Sequence, residues 1–344
     1  MQKIRLGRTG LMVTKTAMGC PPVQRCNDEA AIELLRAAYD GGINYFDTAN
    51  AYSDSEKKIG LALSDVRDKI IISTKSAARD KETVLKHIEN SLRMMKTDYI
   101  DLFQFHQVTE VPDPNDPNGA YAAALEAKER GWIRHIGVTS HRVNIAEQCI
   151  ASGWFETLQF PFSYISDERD LALADKCREA DMGFIAMKGL AGGMLTNVRA
   201  CHAFMKQYDN VVPIWGMQRM EELRQWLDAA EEDPSMDEEL SEFIRKERQE
   251  LAGSFCRSLI ITLRLLHAMS RRYRNFQLRP HEHAAAPLTV EAVLHAGMAG
   301  EDGAHHPLCD GWSGCLPGNR SVPRGGLCPL RLVQHGAGWS EHGW

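Results

Sequence analysis

Short apolar runs alternate with amphipathic stretches from residue 14 to about residue 232. The runs TKTAMGC (14–20), INYFDTA (43–49), KIIISTK (69–75), YIDLFQFH (99–106), IRHIGVTS (133–140), TLQFPF (157–162), GFIAMKG (183–189) and VVPIWGM (211–217) are rich in β-branched and aromatic residues. That composition predicts eight strands. Between them lie helical patterns such as DEAAIELLRAAYDGG (28–42) and KETVLKHIENSLRMMK (81–96). The first opens on Asp28 and Glu29 and stops at Gly41 and Gly42. Eight βα units close most naturally into an α/β fold of the (β/α)8 TIM-barrel type. Ahead of the first run, KIRLGRTGLMVT (3–14) alternates around Gly-Arg-Thr-Gly and predicts a β-hairpin able to cover the bottom of the barrel. A rigid acidic loop, VPDPNDPNG (111–119), follows the fourth strand and would lie at the active-site face. A second break, EEDPSMDEE (231–239), ends the barrel before one more helical stretch at 240–252. The expected organisation is a barrel over residues 1–235, a helical extension over 236–258 and a different kind of segment over 259–344.

Composition narrows the class of partner. With 344 residues, 44% of them hydrophobic, the chain can bury a large core. A net charge of -6, with Lys and Arg scattered along the chain, gives no electrostatic footprint for nucleic acid or an anionic membrane. A small molecule is the expected partner. No run approaches the roughly 18 apolar residues of a membrane span. Nine cysteines, unevenly spaced, do not resemble a secreted disulfide framework, so a reducing cytoplasm is the expected compartment. No GxGxxG follows a strand and no GxxxxGKS/T occurs, which removes Rossmann and P-loop readings.

In a closed parallel barrel the strands' C-terminal ends share one face, so polar residues there converge from distant parts of the chain. Asp47 ends the second strand, Tyr52 follows in its loop, Lys75 ends the third and His106 ends the fourth. Carbonyl reduction needs a hydride donor and an acid for the developing alkoxide. A tyrosine with an ordinary pKa of about 10 is a weak acid unless a cation assists it. Lys75 can supply that cation, Asp47 can pair with the ammonium, and a neutral His106 can donate a hydrogen bond to the substrate oxygen. Any one of these residues alone reads as structural. Their order on successive strand ends reads as a site.

The blocks GGINYFDTANAYSDSEKKIGLAL (41–63), IIISTK (70–75), DYIDLFQFH (98–106) and IRHIGVTS (133–140) resemble the signature blocks of aldo-keto reductases. The resemblance implies Tyr52 as proton donor, Lys75 and Asp47 as its tuning pair and His106 as substrate orienter. It also implies a nicotinamide cofactor, NADP with NAD as the other possibility, extended across the barrel mouth, and a small carbonyl substrate. Its cofactor residues carry over position by position. Where the family has a Ser-Asn pair for the carboxamide this chain has Thr139 and Ser140, which keep hydroxyls and lose the amide. Gln159 matches the family's carboxamide-binding glutamine, although a strand Gln also satisfies backbone. Met187 stands where an aromatic usually stacks on the ring; it can pack there or fill core. Gly189, in GLAGG (189–193), allows close backbone approach to a pyrophosphate. Gly216, Gln218 and Arg219, in WGMQRMEEL (215–223), resemble a phosphate-binding turn into a helix, with Arg219 facing a 2′-phosphate or simply solvent.

Three function classes follow: an active reductase, a nucleotide-binding regulatory subunit, and an electron-transfer reductase lacking an iron-sulfur tail. The last arises because LAGSFCRS (251–258) resembles the beginning of a ferredoxin-like tail on one branch of the family. Here Lys is absent after Lys246, eight of the thirteen His lie beyond Ser258, and only Cys309, Cys315 and Cys328 follow Cys256. No iron-sulfur cluster or other metal site is expected from those spacings. Reading back-translated residues 263–287 one base later allows CGYCMPCPAGIEISNCARMSMLLRR, the missing motif, which points to a frameshift between residues 258 and 263. A genuine His-rich metal-binding tail is the competing reading. Sequencing the coding DNA decides it: codons able to spell that string support the frameshift, and codons that cannot exclude it.

Overall fold

The computed structural model describes residues 1–251, so the expectations for residues 252–344, including the out-of-frame or metal-binding tail, lie outside the described residues. Two short strands, β1 (Lys3–Arg5) and β2 (Met12–Thr14), pair antiparallel with Lys3 opposite Thr14. The next eight are β3 (Ala17–Gly19), β4 (Tyr45–Asp47), β5 (Ile71–Ser76), β6 (Ile100–Phe105), β7 (Ile133–Thr139), β8 (Thr157–Pro161), β9 (Gly183–Met187) and β10 (Val211–Gly216). They form a closed barrel in chain order, with β10 pairing back onto β3 and every neighbouring pair parallel. The helices around it are α1 (Asp28–Asp40), α2 (Ser55–Leu63), α3 (Lys81–Met95), α4 (Ala120–Glu129), α5 (Val143–Ser152), α6 (Glu168–Glu179), α7 (Val198–Lys206) and α8 (Met220–Glu232). A further helix, α9 (Glu238–Glu250), follows the barrel. The (β/α)8 reading therefore holds, with a strand in each of the eight runs and β5 ending one residue past its own.

Local chemistry fixes the helix starts. The side chains of Asn27, Asp80, Asp167, Asn197 and Asp237 each accept a backbone N–H from the first turn of α1, α3, α6, α7 and α9. A cap of this kind stabilises a helix by about 1 kcal/mol. At the other end of α1, Gly42 has φ +93°, a conformation that favours glycine.

Two cores separate the ends of the barrel. The larger lies between strands and helices, and a smaller one, built from Tyr45, Leu102, Ile185, Val212 and Ile214, fills the interior toward the strands' N-terminal ends. Leu6, in the β1–β2 turn, is wholly buried in that inner core. The hairpin is drawn in tightly: Arg8 N donates to Asp181 O at 2.7 Å, and a Cβ at Gly7 would lie 2.1 Å from Gly183 N. The bottom of the barrel is thus plugged with apolar side chains.

Helix α9 reaches the opposite rim indirectly. Arg248 donates to Ser166 O at 3.1 Å and also to Tyr164 O, while Tyr164 donates its hydroxyl proton to Glu247. The loop after β8 is held by a helix that the barrel itself does not contain.

Candidate active site

Asp47 is the last residue of β4, Lys75 lies at the end of β5 and His106 immediately follows β6, so strand register alone brings them to one rim. Lys75 Nζ lies 2.6 Å from Asp47 Oδ2 and donates also to Thr48 O at 2.6 Å. Both side chains of the pair are 1% exposed. A carboxylate this deep is tolerable only when hydrogen-bonded, and Asp47 is. Ser73 Oγ donates to Oδ1 at 2.6 Å, Gln104 Nε2 to Oδ1 at 3.3 Å and Gln159 Nε2 to Oδ2 at 3.5 Å. Tyr45 donates in turn to Ser73 Oγ at 3.0 Å.

Tyr52 stands in a turn after β4, where its N–H donates to Ala49 O and its carbonyl accepts from Ser55 N. Lys75 Nζ lies 5.4 Å from the centre of the Tyr52 ring, and the His106 ring meets it edge-on at 5.7 Å. Burial pushes the Tyr52 phenol above its ordinary value; Lys75 opposes that rise, and Asp47 and Cys20 add to it. The cation thus acts in the direction expected of it, but desolvation outweighs it. The phenol holds its proton at neutral pH. Burial first, then the nearby charges of Lys75, His141 and Arg79, lowers His106 to about 3, so its imidazole is neutral. Arg79 Nη2 holds the His106 carbonyl at 2.7 Å.

The remaining candidates also gather on this rim, each with partners inside the chain. Thr139 Oγ1 accepts Gln107 N at 2.7 Å, and Ser140 Oγ donates to Val108 O at 3.0 Å and accepts Arg142 N at 3.2 Å. Both hydroxyls thus order the loops after β6 and β7. Gln159 bonds side chains, Gln104 and Asp47, where a backbone partner was the alternative. Met187 is half-buried against the inner core and keeps an exposed part at the rim. Gly189 packs against Trp215, whose ring atom would lie 2.4 Å from an added Cβ. After Gly189 the backbone turns through Gly192 and Gly193 in the left-handed region, and a Cβ at Gly193 would meet nothing within 4 Å.

At the start of α8, Gly216 is exposed and Gln218 and Arg219 are engaged by Glu222. Its carboxylate accepts Gln218 N at 2.8 Å, Arg219 N at 3.3 Å, and Arg219 Nε and Nη2 at 2.9 and 2.7 Å. The amides of this turn are taken by the chain's own carboxylate in a capping box. Sequence reasoning did not single out Glu222, Arg25, Ser73 or Gln104. Glu222 had the capping-box spacing from Arg219, and Arg25 reaches Gln218 Oε1 at 3.3 Å from the loop after β3. Ser73 and Gln104 stand two residues before Lys75 and His106, the period that puts strand residues on one face.

A phenol that keeps its proton, faced by an ammonium and a neutral imidazole, defines a site suited to protonating an oxygen. The chain belongs to the aldo/keto reductase family, a class of NAD(P)H-dependent oxidoreductases: the family's profile matches residues 9–206, more than half of its length. It is 26% identical to the uncharacterized oxidoreductase YqkF of Bacillus subtilis over 258 residues, 71% of this chain and 83% of that one. With four other curated relatives it spans between 55% and 68% of their length. Among solved structures, the holo form of an aldo-keto reductase from Bacillus halodurans matches with a TM-score of 0.64 at 24% identity, covering 72% of this chain and 96% of that one. An aldo-keto reductase from Klebsiella pneumoniae, solved in complex with NADPH, matches with a TM-score of 0.60 at 21% identity, covering 72% and 95%. Among the described residues no helix is long and apolar enough to cross a membrane.

The depressed histidines have a consequence for stability. Burial also lowers His141 to about 4. Such a group takes up its proton only on unfolding, so its contribution is full above about pH 6.5 and is lost as the pH falls toward its folded value, by at most about 1.4 kcal/mol per pH unit. The urea midpoint is expected to drop between about pH 7 and pH 5, and a His106→Gln variant should lose less over that interval; equal losses would show that His106 is not a buried neutral group.

Proposed function

We propose that this chain reduces an aldehyde or ketone with NAD(P)H, and that Tyr52 is the general acid. The observation that carries the proposal is the buried Lys75–Asp47 pair at 2.6 Å, facing the Tyr52 ring.

The cofactor reading is supported by how the rim is furnished. Gln159 has its oxygen taken by Gln104 but only one long bond, to Asp47, from its amide nitrogen, Met187 offers a partly exposed apolar surface, and the turn is open at Gly193. Arg25 and Arg219 flank the amides at the start of α8. Gln159 would hold a carboxamide, Met187 would pack on a flat ring, the glycine turn would admit a pyrophosphate, and the two arginines would hold a further anion. The Thr139 and Ser140 hydroxyls fit less well, because each is already committed to backbone. Gly189 keeps the loop close to Trp215, and Gly216 leaves the α8 turn uncovered. We assign NADPH as the preferred cofactor, since Arg219 needs only to exchange one anion, the Glu222 carboxylate, for another; NADH remains acceptable to the same site.

When bound, the nicotinamide supplies the hydride that adds to the carbonyl carbon. Everything else falls to side chains. His106, neutral and beside Tyr52, donates to the substrate oxygen and sets its distance from the phenol. As negative charge grows on that oxygen, Tyr52 transfers its proton and becomes a phenolate. The Lys75 ammonium, fixed by Asp47, stabilises that phenolate more than it stabilised the neutral ring, which is the differential effect that lowers a barrier. Solvent returns a proton to Tyr52.

The tail beyond residue 258 is not needed for this chemistry. It is read as out-of-frame translation of a lost iron-sulfur segment, so no cluster is expected and the likeness to electron-transfer reductases is one of ancestry. The compartment is read as cytoplasmic.

Loss of NADPH absorbance with a panel of aldehydes and ketones, repeated with NADH, tests the proposal on the full chain. Turnover should be faster with NADPH and should fall about 10²–10⁴-fold in Tyr52→Phe, with NADPH affinity held within about twofold. Turnover that survives the substitution would remove Tyr52 from the chemistry, and tight NADPH binding without any turnover would favour a regulatory subunit.

A further inference from the structure

Gln104 is wholly buried inside the barrel, on β6 two residues before His106. Its register partners are Lys75 on β5 and Gly137 on β7, so it shares the interior face with the ammonium. Glycine at 137 lets its side chain lie across β7: an added Cβ would sit 3.1 Å from Gln104 Cγ and 2.1 Å from Thr157 Oγ1. The amide crosses that gap to β8. Its Nε2 donates to Gln159 Oε1 at 2.9 Å and to Asp47 Oδ1 at 3.3 Å.

The sense of the amide is fixed by its neighbour. Turned over, its oxygen would face a carboxylate, acceptor against acceptor. As it stands, Gln104 Oε1 has no partner among the described residues. An unpaired buried acceptor costs stability that Leu or Met at this position would avoid. Local violations of this kind cluster where a site demands them. What the site obtains is a closed set of contacts: Gln104 bonds Asp47 and Gln159, and Gln159 bonds Asp47 Oδ2 at 3.5 Å.

We propose that Gln104 is a positioning residue for proton transfer: its amide, with Ser73, occupies Asp47 Oδ1, leaves Oδ2 to Lys75 and Gln159, and fixes the amide of Gln159. This rests on Tyr52 being the proton donor. The groups facing Tyr52 are Lys75 from β5, Asp47 from β4, Cys20 after β3 and His106 after β6. Those facing Asp47 are Lys75, Ser73, Gln104, Gln159 and, through its field, Cys20 and Tyr45, and Glu56 also lies in the field of Lys75. Lys75 eases the loss of the Tyr52 proton and Asp47 opposes it. Taking away the Gln104 N–H leaves the carboxylate less compensated, so the balance at Tyr52 tips toward Asp47 and the phenol becomes a weaker acid.

Gln104→Met conserves volume and removes both donors. In the full chain with NADPH and a responsive aldehyde, kcat should fall about tenfold, with KM for the aldehyde within about twofold. The alkaline limb of kcat should move up by about half a pH unit or more. Ser73→Ala, which removes the other donor to Oδ1, should move the limb the same way, and it carries the test if Gln104→Met does not fold. Ultraviolet tyrosinate absorbance, taken as the difference between each protein and its Tyr52→Phe counterpart, reads the same titration without turnover. Wild-type protein that binds NADPH but reduces nothing would therefore overturn the reductase reading while the absorbance still decides Gln104. Loss of melting temperature alone, with kcat and the tyrosinate titration unmoved, would make Gln104 a packing residue and overturn the proposal.

Discussion

Everything at the upper rim of this barrel follows from burying a carboxylate and an ammonium together. Removing two charges from water costs several kcal/mol per ion, and their attraction offsets this only when the remaining hydrogen-bonding capacity is filled. The chain meets that condition with Ser73, Gln104, Gln159 and the Thr48 carbonyl, drawn from four different segments. Because those partners come from β5, β6, β8 and the loop after β4 of a closed sheet, the pair cannot be assembled until the barrel is. The ionic site is a product of the fold, and a poor contributor to its stability.

Stability comes from the opposite end. Leu6 and Val13 from the hairpin complete an apolar inner core whose strand residues precede the polar ones along the same strands. Tyr45 marks the boundary, with its ring in that core and its hydroxyl on Ser73. The barrel interior is therefore graded: apolar and plugged below, amide and hydroxyl in the middle, charged at the rim. Water is excluded from beneath the site, so the field of Lys75 at Tyr52 is screened little.

The sequence carried the architecture well because eight apolar runs with turn residues between them have few ways to close, and because Asp47, Lys75 and His106 occupy strand ends that any parallel barrel gathers. The hairpin was legible from its Gly-Arg-Thr-Gly centre, and α1 from its acidic start and paired glycines. What surrounds the ion pair was harder. Ser73 and Gln104 look like ordinary strand polar residues until the barrel closes and shows that both face one carboxylate. Thr139, Ser140, Gln218 and Arg219 were read by resemblance as cofactor residues. Their bonds within the chain depend on loop conformations that no periodicity encodes, and only the capture of Arg219 by Glu222 had a signal, the capping-box spacing. The rise in the Tyr52 value had the same origin, since desolvation is a property of the assembled rim.

If the Lys75–Asp47 pair is what makes Tyr52 an acid, the most direct measurement is single-turnover reduction by a variant in which the pair is replaced without leaving a lone buried charge, Asp47→Asn with Lys75→Met. Removing one partner alone would cost about 3–5 kcal/mol of stability and confuse the result, whereas replacing both is close to neutral. The double variant should fold and still bind NADPH, and its rate of hydride transfer to an aldehyde should fall about 100-fold or more. A rate that stays close to that of the unaltered protein would show that the proton reaches the substrate without the pair.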